Sequence, residues 1–63
     1  MSKEYTVEYG STGIYTKKIY NSKDEALQFA YDLNDRYRNS GCNDSIRVYI
    51  AGFFSNDVIW ENK

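Results

Sequence analysis

Apolar residues in this chain recur with a period of two at both ends and with a helical period in the middle. That switch constrains the fold more than any single residue does, because strands and helices present side chains with incompatible repeats. Residues 4–9 read Glu-Tyr-Thr-Val-Glu-Tyr. Tyr5, Val7 and Tyr9 fall on one face and Glu4, Thr6 and Glu8 on the other, the pattern of a half-buried strand. Gly10-Ser11-Thr12-Gly13 reads as a turn, and residues 14–20 as a second strand rich in β-branched and aromatic types. A four-residue loop pairs Tyr9 with Ile14 and Val7 with Thr16. In that register Lys17 lies diagonal to both Glu4 and Glu8 on the outer face. Lys18 shares the inner face and reaches solvent by extending past the sheet edge.

Ser22-Lys23-Asp24-Glu25 has the form of a capping box, in which Ser22 caps the third amide and Glu25 reaches back to Ser22. The spacing then predicts a helix to about Asn39. Ala26, Phe29, Ala30, Leu33 and Tyr37 fall in one narrow arc with Leu27 on its flank; Gln28, Asp32 and Asp35 take the opposite face. Gly41 is a natural left-handed stop.

Residues 46–54 alternate again. Ile46, Val48 and Ile50 face the helix, and Arg47, Tyr49, Ala51 and Phe53 face away. Ser55-Asn56-Asp57 reads as a three-residue turn that pairs Phe54 with Val58 and Gly52 with Trp60. Trp60 then covers Gly52 on the inner face and Ile59 lies outside near Phe53. A two-residue loop would turn Asp57 and Glu61 inward at a large desolvation cost. The expected fold is α+β: β-β-α-β-β, a single antiparallel four-stranded sheet with one helix packed on one face. Residues 1–63 form one small domain, without linker or repeat.

A chain of 63 residues has little core to spare. It buries about 60% of the surface its unfolded form exposes. Cys42 is the one cysteine and there is no histidine. A disulfide within the chain is therefore impossible, and a zinc site has almost no ligands to use. Idealised packing or self-association must supply the stability that staples give other small domains. One free thiol fits a reducing, cytoplasmic setting. No apolar run approaches the length of a membrane span or a signal peptide, so no membrane partner is expected.

Functional chemistry is sparse. Without histidine there is no ready general base near neutral pH, and Cys42 lies in a polar loop where nothing activates it. The acids sit on helix surfaces, beside bases, in turns or at chain ends. No enzyme, cofactor or metal is expected. The glycine loop leads into a strand rather than a helix N-terminus, so it is a hairpin turn and not a phosphate cradle. Arg36 and Arg38 could grip an anion, but Asp32 and Asp35 stand one turn earlier as their expected partners. Asn43, Asp44 and Ser45, like Asn56 and Asp57, read as turn residues rather than calcium ligands.

The outer sheet face is the main candidate site. The registers above place Tyr15, Lys17, Ile19, Arg47, Tyr49, Phe53 and Ile59 there. A single helix cannot cover both sides of a sheet, and a large contiguous apolar patch on a soluble monomer usually has a use. Tyr and Arg are prominent at protein interfaces. The plain alternative is that tyrosine is simply a good strand residue that tolerates exposure. The leading expectation is a small non-enzymatic binding protein acting by protein–protein contact, with Tyr49 and Phe53 as anchors, Tyr15 and Ile19 as flanks, and Lys17 and Arg47 as rim. Size and aromatic content would suit a phage or mobile-element accessory factor that inhibits or redirects a host protein. A second possibility is single-stranded nucleic-acid binding by base stacking on the same face, which a net charge of −1 disfavours. A third is a homodimer that uses the face structurally and leaves function to the helix surface around Gln28, Asp32 and Asp35.

Overall fold

The computed structural model of the chain describes residues 3–11, 13–52 and 55–62. Among these the elements are β1 (Tyr5–Ser11), β2 (Ile14–Tyr20), α1 (Lys23–Ser40), β3 (Ser45–Ile50) and β4 (Asp57–Glu61). The strands form one sheet in the order β2-β1-β3-β4, and every neighbouring pair is antiparallel. Helix α1 crosses one face over β1, β2 and β3. The β-β-α-β-β architecture expected from the changes of period is therefore the one observed. The two hairpins meet through β1 and β3, which carry the fully buried side chains Val7, Ile46 and Val48. Each such side chain contributes about 2 kcal/mol relative to exposure.

The helix meets the sheet through Ala26 and Ala30, both fully buried. Their small side chains let the helix backbone approach the strands, and larger residues close the sides. Tyr9 and Tyr20 pack on Phe29 with ring centroids 5.6 and 5.8 Å apart, and Trp60 meets Tyr31 edge-on at 5.3 Å. Lys18, on the exposed inner side of edge strand β2, holds its Nζ 4.8 Å from the Phe29 ring centroid. The residue is exposed, so its charge stays wet while gaining cation–π attraction. Gly41 ends the helix with φ 74°; the Cys42 amide donates to the Tyr37 carbonyl at 2.8 Å and the Gly41 amide to the Arg38 carbonyl at 3.4 Å, a Schellman motif.

Several local expectations need correction. In the first hairpin Tyr9 pairs with Thr16 and Val7 with Lys18, two residues away from the predicted register. Gly10 stays in the strand at φ 144°, where a Cβ would collide with the Ile14 carbonyl, so the chain turns later than the glycine cluster suggested. A two-residue slip preserves the faces, and it brings Lys17 directly opposite Glu8 rather than diagonal to it. Ser22 is the N-cap residue in position and in extended backbone, but its side chain makes no capping hydrogen bond. The first turn, Lys23 to Glu25, is exposed, so water can serve its free amides. The pairs Asp32–Arg36 and Asp35–Arg38 do not close to ion-pair distance. Among the described residues the ion pairs lie on the sheet, and Asp32 instead accepts a hydrogen bond from Gln28 Nε2 at 3.0 Å.

The second hairpin departs most. Strand β3 ends at Ile50, and Trp60 pairs with Val48 rather than Gly52. A Cβ at Gly52 would collide with the Ser55 carbonyl, so the chain folds back on itself there instead of continuing as a strand. The expected partnership of Phe54 with Val58 involves a residue outside those described; Val58 pairs with Tyr49. A β-bulge between the Val48–Trp60 and Tyr49–Val58 pairs adds Ile59 to β4. Alternation shifts at that point, and Ile59 packs against the core instead of lying outside, while Val58 takes the outer position.

Candidate functional site

The face of the sheet opposite α1 is built as rows that run across the strands. One row is Lys17, Glu8, Arg47 and Glu61, each directly opposite the next on β2, β1, β3 and β4. Its charges alternate in sign. Lys17 Nζ lies 3.7 Å from Glu8 Oε2, and Arg47 Nε lies 3.0 Å from Glu61 Oε1. Cross-strand pairs of opposite charge are favourable by about 0.2–1 kcal/mol each, so the row aligns the strands more than it stabilises them.

The neighbouring row is Ile19, Thr6, Tyr49 and Val58. Its ends are exposed, Ile19 at 59% and Val58 at 46%, and its middle is not: Thr6 is 6% exposed and Tyr49 7%. Beyond the charged row, Tyr15 pairs with Gly10, which pairs with Ser45. Tyr15 is 48% exposed beside a groove of about 280 Å³ bounded by Glu8, Ser45, Arg47, Glu61 and Asn62.

Of the residues expected on this face, Tyr15, Lys17, Ile19 and Arg47 lie there and are exposed. Tyr49 lies there but is buried, so it cannot serve as a protruding anchor. Ile59 belongs to the core side, and Phe53 is outside the described residues. Val58 was missed. It takes an outer position only because of the bulge, which no local signal in β4 announces.

Asn62 was missed as well. Its Oδ1 accepts from the Ile46 amide at 2.8 Å, and its Nδ2 donates to the Asp44 carbonyl at 3.2 Å and to Asn34 Oδ1 at 3.5 Å. Its own amide donates to the Ile46 carbonyl at 3.1 Å. The end of β4 is thereby tied to the start of β3 and to α1. A neighbouring polar groove of about 320 Å³ is lined by Tyr37, Arg38, Cys42 and Asp44 among others. Burial pushes the Tyr37 phenol above its ordinary pKa, with the Asp44 carboxylate, Cys42 and Tyr9 adding to the effect.

The outer face offers exposed aliphatic and aromatic area beside a charged row whose members neutralise one another. Among the described residues no group of three or more His, Cys, Asp or Glu side chains is placed to hold a metal ion. Among the described residues no helix is long and apolar enough to cross a membrane. Comparison with protein-family models, curated proteins and solved structures found no match.

Proposed function

We propose that this chain is a small, non-enzymatic binding protein that acts by protein–protein contact, with the uncovered sheet face as its footprint. The observation that carries the reading is the apolar row: Ile19 and Val58 stay exposed at its ends on the face α1 leaves open, with Tyr15 beyond the charged row. Exposed apolar side chains beside paired charges suit a protein surface with its own polar rim. Base stacking is less well supported. Lys17 and Arg47, the cations that would meet phosphates, are each paired with a glutamate, and the central aromatic Tyr49 is buried. Action by occupying a surface suits a cytoplasmic accessory factor of phage or mobile-element type that inhibits or redirects a host protein.

Photo-crosslinking in the organism that encodes the chain tests the reading. A photoreactive residue replaces Ile19 on the sheet face or, as control, Asp35 on the exposed helix face. Protein adducts from position 19 and not from position 35 are the expected result. Adducts to nucleic acid alone, or protein adducts from position 35 alone, would overturn it.

A further inference from the structure

The geometry points to a second copy of this chain as the partner of the outer face, joined across a two-fold axis that runs parallel to the strands between β1 and β3. This rests on reading that face as a protein contact, and it makes a second copy, in place of a host protein, the occupant of the face whenever the dimer forms. The reason is the order of signs in the charged row. From β2 to β4 it reads Lys17, Glu8, Arg47, Glu61: plus, minus, plus, minus. An alternating row with an even number of members becomes its own complement when reversed. A two-fold parallel to the strands reverses the row and lays it over itself. Lys17 then faces Glu61 of the second copy, and Glu8 faces Arg47 of the second copy, at all four positions. A two-fold perpendicular to the strands and lying along the row would instead set each charge over its own like.

The same axis superposes the apolar row on itself. Ile19 at one end meets Val58 of the second copy, while Thr6 and Tyr49, already buried within each copy, add little contact of their own. The exposed residues of that row would therefore be covered by one another, and the buried middle would form the floor. Every charge entering the interface keeps an opposite neighbour on its own sheet and gains one on the facing sheet, which offsets the loss of water. Aligned sheets pack about 10 Å apart with strands within about 30° of each other, an offset that Lys and Arg side chains can span. A face four strands wide and about six residues long covers roughly 400 Å² on each copy. That is below the size of stable specific interfaces and in the range of weak, transient ones, so the dimer is reversible and concentration-dependent.

The test uses charge reversal at the two ends of the row. Within one chain Lys17 and Glu61 lie on opposite edge strands, about 14 Å apart at three strand spacings. That exceeds a Debye length of about 8–10 Å, so coupling between them must come from contact between copies. The wild-type chain should show a mass rising from monomer to dimer with concentration by sedimentation equilibrium. Lys17→Glu alone and Glu61→Lys alone should each weaken dimerisation about tenfold or more, because like charges then face each other twice. An equimolar mixture of these two variants should recover the dimer as a heterodimer, since every facing pair is again opposite.

A second measurement does not depend on the charges. With Cys42→Ser in both, an Ile19→Cys copy mixed with a Val58→Cys copy should form a disulfide faster than either copy alone. Wild-type chain that stays monomeric at millimolar concentration, or a mixture of charge variants no more associated than its parts, would overturn the proposal. Neither result touches the broader reading of a protein contact, which fails separately if position 19 crosslinks to no protein.

Discussion

The two faces of the sheet share a backbone and differ in what holds them. On the inner face the central row Lys18, Val7, Val48 and Trp60 has its two valines fully buried under the alanines of α1. On the outer face the equivalent row Ile19, Thr6, Tyr49 and Val58 also buries its middle, without a helix over it. Burial on the outer face is therefore found on the central strands, at Thr6 and Tyr49, although α1 lies on the other side. Within that row exposure is confined to Ile19 and Val58 on the edge strands. The lesson is that an outward-pointing residue on a central strand can be structural, while its neighbours on the edge strands are free for contact.

That comparison can be broken first at the core. Val48→Asp places a carboxylate where there is no solvent and should leave no folded population at neutral pH by circular dichroism. A domain of this size has only about 3–5 kcal/mol to lose. A cooperative thermal transition in that variant would mean that the helix does not seal the inner face. Next is Tyr49→Ala on the outer face. If the residue is structural as its burial implies, urea denaturation should show a loss of about 3 kcal/mol. A loss below about 0.5 kcal/mol, the size of an ordinary surface substitution, would return Tyr49 to the role of a contact residue.

Asn62→Ala should cost about 1–2 kcal/mol, because the Ile46 amide loses its acceptor and the Asp44 carbonyl a donor. Faster hydrogen exchange at the Ile46 amide would accompany that loss, and unchanged exchange would show that the clamp is not closed in solution. The smallest effect belongs to Ile19→Ser. At dilute concentration it should change stability by no more than about 0.5 kcal/mol, since the side chain is mostly in water already. A larger loss in the dilute monomer would show that the edge of the outer face also carries structure.

The helix was legible in its span and its stop, though not in the Ser22 capping bond or the Asp32–Arg36 and Asp35–Arg38 pairs, which do not close. The helix arc from Ala26 to Tyr37 and the stop at Gly41 follow from spacing and from backbone preference, and both stand as expected. The first hairpin illustrates a partial reading. Alternation placed Tyr15, Lys17 and Ile19 on the outer face, and they remain there because the register error was an even number of residues. The second hairpin shows where such reading ends. Gly52 doubles the chain back and the bulge at Ile59 inverts the alternation, so Val58 and Ile59 exchange their expected roles. The candidate site was legible through Tyr15, Lys17, Ile19 and Arg47, and illegible at Tyr49, Val58 and Asn62, whose states depend on strands distant in the chain.

From sequence alone come the kinds of element, their order, the faces of β1 and β2, and the want of a disulfide, because each depends on residues a few positions apart or on counting. Tertiary structure alone decided that β1 and β3 lie side by side at the centre, since strand order is a matter of which hairpins bury the most together. It alone aligned Lys17, Glu8, Arg47 and Glu61 into one alternating row. Those four charges come from four strands, and no period within the chain relates them. Cross-strand register does, and register is set by how the core of Val7, Ile46 and Val48 closes against Ala26 and Ala30.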